Sequence, residues 1–219
     1  MKRMGPIKLA LFDLDGTLTR ERSAWEYLHR RLGLWEGYAE KFQEAFLRGE
    51  IDYHRFCELD AALWKGMKVT EALNLLKEIP LYEGVEELVA LLRTRGVKTG
   101  IISTGLSLLA EWIRVQYGFD EAVANELGSK NGVLTGEIRI LVHHDSKGEW
   151  AERAKKKFQA KTEEVLAIGD SGGDIGMFQM AGMTVAFNSH SAQLDSMATL
   201  SIRSLDLRDI IPQLLPHLG

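Results

Sequence analysis

The chain has 219 residues, of which 45% are hydrophobic and 26% are charged, which is typical of a globular protein with a substantial core. The formal net charge of -4 argues against nucleic acid or an anionic membrane as a main partner, and no apolar run reaches the roughly 20 residues that a membrane-spanning helix needs. Cys57 is the only cysteine, so an intrachain disulfide is excluded and a reducing, cytoplasmic location is the simplest interpretation.

The first predicted element is a buried strand over residues 7–12, an apolar run that stops at Asp13. Residues 23–78 differ in character, because they contain no proline and carry apolar residues at helical spacing. We therefore expect several amphipathic helices in this stretch. The predicted domains are a core of residues 1–20 and 80–219, and a small helical domain of residues 21–79 inserted into it.

The remainder of the core alternates between helices and strands. The patterns predict helices near 85–95, 106–117, 148–159, 175–181 and 207–215, and strands near 97–102, 133–135, 138–142, 165–168 and 184–187. Such alternation implies a mostly parallel sheet with right-handed crossovers. The predicted fold class is therefore α/β, a Rossmann-like open parallel sheet with helices on both faces, plus the small helical domain.

Four groups of polar residues follow predicted strands or open predicted helices. They are Asp13 to Thr17, Ser103 to Gly105, Lys147 with Gly148, and Gly169 to Asp174. In an open parallel sheet, ligands bind outside the carboxyl ends of the strands, so the loops that carry these groups can converge. Any one group alone is more simply explained as a turn. All four together, in this order, favour a shared functional site.

The chemistry of the four groups is coherent. Asp13, Asp15 and Asp170 offer carboxylate oxygens without imidazole or thiolate, which suits Mg²⁺. Lys147 offers positive charge, and Ser146 with Glu149 fits a capping box that would set Lys147 in the first turn of a helix. Since helix N-termini favour bound phosphate, the sequence predicts a magnesium-assisted phosphate site.

These motifs resemble those of the haloacid dehalogenase superfamily, in particular the branch that contains the phosphoserine phosphatases. The run from Phe12 to Leu18 is similar to the first family motif, Ile101 to Gly105 to the second, Lys147 to the third, and Gly169 to Asp174 to the fourth. The helical segment 21–79 is similar to the family's first type of cap domain. The resemblance covers nearly the whole chain.

The resemblance implies a phosphatase mechanism with two aspartates. Asp13 would be the nucleophile that becomes a transient aspartyl-phosphate, and Asp15 would protonate the leaving alcohol and then activate water. The dehalogenases of the superfamily lack the second aspartate, so Asp15 favours phosphoryl transfer over carbon–halogen cleavage. The substrate would be a small phosphorylated metabolite.

The resemblance also implies which residues bind the phosphate and the metal. The phosphate-binding residues would be Ser103, Thr104, Gly105 and Lys147, and the magnesium-binding residues would be Asp13, Asp15 through its backbone carbonyl, Asp170 and Asp174.

Two positions depart from the pattern of the phosphoserine phosphatases. Arg22 stands where those enzymes usually carry a glutamate that binds the substrate ammonium, and Asp60 stands where they carry an arginine that binds the carboxylate. Both charges would be reversed, so the sequence predicts a phosphate monoester other than phosphoserine, with a second anionic group near Arg22. Arg55 offers a replacement for the missing arginine, and Arg22 can also be explained as a solvated surface residue.

Two alternatives remain open at the level of sequence. A phosphotransferase or mutase would use the same aspartyl-phosphate, and a catalytically silent binding protein would use the same fold. The complete set of Asp13, Asp15, Ser103, Lys147 and Asp170 argues against a silent protein. The sequence does not determine the oligomeric state.

Overall fold

A seven-stranded sheet, in the order β4-β3-β2-β1-β5-β6-β7, organises the computed structural model, which describes residues 5–219. The strands are Leu9–Phe12 (β1), Lys98–Leu106 (β2), Glu121–Lys130 (β3), Val133–Arg139 (β4), Val165–Gly169 (β5), Met183–Phe187 (β6) and Leu200–Ile202 (β7). The β3–β4 pair is antiparallel, and all other neighbouring pairs in this sheet are parallel. This arrangement confirms the predicted α/β class with a mostly parallel sheet.

Helices cover both faces of the sheet. They are Ala24–Arg31 (α1), Glu40–Leu47 (α2), Tyr53–Ala62 (α3), Val69–Leu76 (α4), Val85–Thr94 (α5), Ser107–Tyr117 (α6), Lys147–Lys157 (α7), Ile175–Gln179 (α8), Ala192–Met197 (α9) and Ile211–Leu214 (α10). Successive side chains of a strand point to opposite faces. In β1, Ala10 and Phe12 accordingly join one buried apolar cluster, while Leu9 and Leu11 join a second cluster on the other face.

The segment 21–79 holds α1 to α4 between β1 and α5, and we call it the helical insertion. Side-chain caps fix where two of its helices begin. Ser23 Oγ accepts a hydrogen bond from the Glu26 amide at 3.2 Å, and Asp52 Oδ1 accepts one from the Arg55 amide at 2.7 Å. Most of its buried apolar side chains, including the fully buried Trp64, belong to the same apolar cluster as Phe12 of β1, so the insertion packs against the sheet's own core.

Three elements were not predicted from the sequence: β3, α9 and β7. β3 mixes charged, polar and small residues, so it lacks the apolar run that identifies a buried strand. Asn131 and Gly132 connect β3 to β4, with φ of 52° and 76°, values that suit a tight hairpin turn. The two strands expected near 133–135 and 138–142 form one strand, β4. Within residues 5–219, no helix combines the length and apolar character that a membrane span requires.

Candidate active site

The carboxyl ends of three adjacent parallel strands meet at one edge of the sheet. β1 lies between β2 and β5, and Asp13 and Asp170 follow β1 and β5 directly, while Ser103 lies in the second half of β2. The Asp13 amide donates a hydrogen bond to the carbonyl of Ile168 at 2.9 Å, which anchors the first aspartate to the neighbouring strand. The strand-end groups predicted from the sequence therefore lie side by side.

Lys147, the first residue of α7, is held between two carboxylates. Its Nζ donates to Asp13 Oδ1 at 2.5 Å and to Asp174 Oδ1 at 2.6 Å, and all three side chains are buried. The second oxygen of Asp174 accepts the amides of Asp170 and Ser171, both at 3.0 Å. Asp174 therefore fixes both the lysine and the loop that follows β5.

The expected capping box at the start of α7 does not form. Ser146 Oγ accepts a hydrogen bond from the His143 amide at 2.8 Å instead of capping the helix. The loop thus closes on itself before the helix begins, because a serine hydroxyl readily bonds to nearby backbone. Lys147 still lies in the first turn, as predicted.

The pKa values of the buried aspartates at this end of the sheet are raised. Burial and the charge of Asp13 raise the pKa of Asp15 to about 7, and burial with the charge of Asp174 raises the pKa of Asp13 to about 6. Burial and the charges of Asp13 and Asp174 raise the pKa of Asp170 to about 9. Burial alone would lower the pKa of Lys147, but its two carboxylate neighbours raise it, so the ammonium stays charged.

Three of these acids can hold a cation. Ligand oxygens from Asp13, Asp170 and Asp174 all lie within 4.8 Å of one another. Asp170 Oδ1 is buried and, among the described residues, has no hydrogen-bond partner. A buried oxygen without a donor is costly unless a cation or water satisfies it. The three carboxylate ligands and the unsatisfied oxygen of Asp170 both fit a hard divalent cation such as Mg²⁺.

Asp15 lies against a glycine of the second motif. A Cβ built on Gly105 would overlap Asp15 Oδ2, so any larger residue at position 105 would displace this carboxylate. The Gly105 amide donates to Ser103 Oγ at 2.9 Å. Ser103 is buried, and among the described residues its hydroxyl accepts this bond and donates none, which leaves its proton for a ligand.

These groups surround a cavity of about 220 Å³. Its lining residues are Asp13, Asp15, Arg22, Ser23, Trp25, Thr104, His144, Lys147, Asp170, Ser171, Gly173 and His190. Of the residues predicted for the site, Ser103, Gly105 and Asp174 lie behind the lining rather than in it. A larger groove of about 690 Å³, between α6 and β3, contains none of the carboxylate cluster.

Sequence analysis missed four lining residues: Ser23, Trp25, His144 and His190. His190 follows β6, and its Nδ1 lies 3.2 Å from Asp170 Oδ2. The rule that ligands bind beyond the carboxyl ends of parallel strands could have identified it, because β6 is adjacent to β5. Trp25 carries no comparable signal, because its helical spacing only predicts burial.

Asp60, expected to face the substrate, does not line the cavity. It is 1% exposed, lies inside the helical insertion, and its Oδ1 is 3.2 Å from His29 Nε2. Arg55 is also away from the cavity, in an exposed ion pair with Glu58 at 3.1 Å. The argument that Asp60 repels a substrate carboxylate is therefore wrong, and Arg22 is the arginine that borders the cavity.

Comparisons with known proteins identify the family of the chain. The family model described as haloacid dehalogenase-like hydrolase matches residues 10–179. The chain is 31% identical to the phosphoserine phosphatase of Methanocaldococcus jannaschii over 93% of this chain and 96% of that protein. It is also 31% identical to the phosphoserine phosphatase of Campylobacter jejuni subsp. doylei, over 94% of this chain and 98% of that protein.

Solved structures of phosphoserine phosphatases are also similar to this chain. A phosphoserine phosphatase with an analogue of its phospho-aspartyl intermediate matches with a TM-score of 0.80 and 30% identity, over 95% of this chain and 99% of that chain. A substrate-bound phosphoserine phosphatase matches with a TM-score of 0.81 and 30% identity, over 94% and 98% of the two chains.

Proposed function

The chain belongs to the haloacid dehalogenase-like hydrolase family and is a phosphoric monoester hydrolase, and we propose that it works through an aspartyl-phosphate on Asp13. One observation carries this proposal: the buried contact of 2.5 Å between Lys147 Nζ and Asp13 Oδ1, at the end of the central strand. A carboxylate is a weak nucleophile towards a phosphate dianion unless a nearby cation offsets the charge. Lys147 is that cation.

In the first step, a carboxylate oxygen of Asp13 forms a bond to phosphorus while the bond from phosphorus to the substrate oxygen breaks. Asp15 donates its proton to the departing oxygen, so the alcohol leaves neutral. The pKa of about 7 for Asp15 supports this role, because the group can hold a proton near neutral pH and release it there.

In the second step, water attacks the phosphorus of the aspartyl-phosphate. Asp15, now ionised, accepts a proton from this water, the bond between Asp13 and phosphorus breaks, and inorganic phosphate leaves. Both proton transfers are thus assigned to the same carboxylate. Its position beside Gly105, at the edge of the cavity, supports access from the substrate side.

The phosphoryl oxygens would be bound by Lys147, the Ser103 hydroxyl and the Thr104 amide. The Gly105 amide already bonds to Ser103, so Gly105 contributes space for Asp15 rather than a donor. Asp13, Asp170 and Asp174, with the backbone carbonyl of Asp15, would hold Mg²⁺. The metal supplies positive charge to the phosphoryl oxygens.

The relatives favour phosphoserine as substrate, against the expectation drawn from the sequence. The buried position of Asp60 removes one of the two objections. Arg22 borders the cavity. The pKa of His190, another lining residue, is lowered first by burial of the imidazole and second by the positive charge of Arg22, so this charge acts on the other lining residues. We assign Arg22 to the substrate carboxylate, the anionic group that phosphoserine carries in addition to its phosphate.

Release of inorganic phosphate from phosphoserine and from a panel of sugar, nucleotide and carboxylate phosphates, with Mg²⁺, tests the proposal. We expect phosphoserine to have the highest kcat/KM, and Asp13→Asn to abolish turnover. The matched control is Asp209→Asn, since Asp209 is exposed near the C-terminus and lies away from the cavity. Unchanged activity in Asp13→Asn would refute the mechanism, and preference for another ester would refute only the substrate.

A further inference from the structure

The backbone carbonyl of Thr104 is a meeting point between the helical insertion and the core. It accepts hydrogen bonds from Trp25 Nε1 and the Tyr53 hydroxyl, both at 3.3 Å, and from Asn125 Nδ2 at 2.9 Å. Trp25 and Tyr53 belong to α1 and α3 of the insertion, while Asn125 belongs to β3. Thr104 itself lies between Ser103 and Gly105 near the end of β2, so the three donors converge on residues 103–105, the segment that we assign to phosphate binding.

An irregularity in the sheet leaves this carbonyl free for side chains. The regular pairing of β2 with β3 is interrupted between Ile102 and Leu106, so the β3 backbone does not take the Thr104 carbonyl. Asn125, which pairs with Leu106, fills the gap with its side-chain amide. The interruption therefore places an adjustable side-chain contact where a ladder bond would otherwise be.

The same asparagine also holds the segment that leads to Lys147. Asn125 Oδ1 accepts the amides of Leu141 and Val142, both at 2.9 Å, and Nδ2 also reaches the Val142 carbonyl at 3.2 Å. Two backbone N–H donors identify which end of the side chain is the oxygen. Asn125 is fully buried, and residues 143–147 follow Val142 directly. A shift of the Asn125 side chain would therefore move the loop that leads to Lys147.

Tyr53 completes the connection from the side of the insertion. Its hydroxyl donates to the Thr104 carbonyl and accepts from Asn125 Nδ2 at 3.2 Å. Its ring packs against His143 and His144, with centroids 5.4 and 5.8 Å away. One insertion side chain thus contacts both segments that Asn125 fixes, the end of β2 and the loop before Lys147.

We infer that Asn125 is a positioning residue that, with the Tyr53 hydroxyl, couples the seating of the helical insertion to the phosphate-binding segment 103–105 and to Lys147. Neither residue lines the cavity, so both act through Thr104 and the segment 141–147. When the insertion is seated, Tyr53 and Trp25 donate to the Thr104 carbonyl, and the segment 103–105 is held in its catalytic position. The inference rests on the proposed phosphatase function, because turnover is its readout.

Tyr53→Phe is the mildest test, since it deletes one hydroxyl and keeps the ring against the two histidines. We expect kcat/KM to fall about three- to tenfold, the effect of one lost hydrogen bond that matters in the transition state, with a melting temperature within a few degrees of wild type. Tyr38→Phe is the matched control, because Tyr38 lies in the same insertion but is 58% exposed. It should leave both parameters unchanged.

Asn125→Asp tests the hub itself. The substitution keeps an oxygen for the Leu141 and Val142 amides but replaces the donor towards Thr104 with an acceptor, so the contact becomes repulsive. We expect kcat to fall more than about tenfold while hydrogen exchange of the two amides stays slow. Asn74→Asp, on the exposed side of α4, controls for the added charge and should be neutral.

The double variant decides whether the two residues act together. Coupled residues give a combined loss smaller than the product of the single losses. Wild-type kcat and KM in Tyr53→Phe, or losses that multiply independently, would overturn the inference. If Asn125→Asp fails to fold, Tyr53→Phe alone still decides, because it leaves the buried amide intact. If the wild-type protein hydrolyses no phosphate ester, the proposed function fails instead, so the two failures are distinguishable.

Discussion

Lys147 Nζ lies 2.5 Å from Asp13 Oδ1, with both side chains almost completely buried, so the site's one lining lysine is committed to the residue that must attack phosphorus. The contact has two consequences. It stabilises the ionised form of Asp13, and it leaves the ammonium where the transferred phosphoryl group must arrive.

Replacing this lysine should damage both activity and stability. We expect Lys147→Met to lower kcat by at least about 100-fold and to lower the free energy of unfolding by about 3 kcal/mol, because Asp13 and Asp174 lose their buried partner. Steady-state kinetics and denaturant titration measure the two effects. Lys156→Met on the exposed side of α7 is the matched control, since Lys156 is 77% exposed. A Lys147→Met variant with wild-type kcat would exclude the assigned role.

A single methyl group at position 105 should reduce catalysis by moving Asp15. The Cβ of Gly105→Ala would overlap Asp15 Oδ2, and a small displacement of a catalytic group can cost about 100-fold in rate. We expect kcat to fall about 10- to 100-fold. In an Asp15→Ala background the same change should have little further effect, because the displaced carboxylate is gone. If Gly105→Ala lowered kcat by the same factor in the Asp15→Ala background as in the wild type, Gly105 would act on a group other than Asp15.

Removing the proton donor should separate the two chemical steps. Asp15→Asn cannot activate water, so we expect slow turnover and accumulation of phosphorylated Asp13 when a good leaving group, such as p-nitrophenolate, makes the first step easy. Intact-mass measurement after rapid quenching detects the adduct, and Asp13→Asn should show none. Turnover at the wild-type rate would remove Asp15 as the acid and base.

Asp170 should bind the metal, and in the metal-free protein its carboxylate should lower the melting temperature. We expect Mg²⁺ to raise the melting temperature of the wild type and to raise that of Asp170→Asn much less, because a ligand that binds only the folded state stabilises it by mass action. Without metal, Asp170→Asn should melt at the higher temperature, since it removes one of three crowded carboxylates. Equal responses to Mg²⁺ would show that Asp170 is not a ligand.

Arg22 should contribute to substrate binding more than to chemistry. We expect Arg22→Ala to raise KM for phosphoserine about tenfold with a smaller change in kcat, as for a contact made equally in the ground and transition states. Arg55→Ala should leave both unchanged, because Arg55 pairs with Glu58 away from the cavity. An unchanged KM in Arg22→Ala would identify Arg22 as a solvated surface residue.

The sequence by itself determined most of the order of elements, β3, α9 and β7 excepted, and the identity of the strand-end residues. An apolar run followed by Asp13, and another followed by Asp170, are local patterns, and the geometry of parallel sheets brings such ends together. Lys147 was predicted in a first helical turn from an expected capping box at Ser146, and it lies there although the capping box itself does not form. The family resemblance then supplied roles that no pattern of spacing contains.

Only the tertiary structure decided which residues of the helical insertion line the cavity and which contacts hold the segments that carry the site. Successive residues of a helix point about 100° apart, so the side of α3 on which Asp60 lies depends on its packing, which buries it against His29. The role of Asn125 depends on an interruption between β2 and β3 that leaves no trace in the sequence. Long-range contacts of this kind arise from the packing of distant segments, and local preferences along the chain do not encode them.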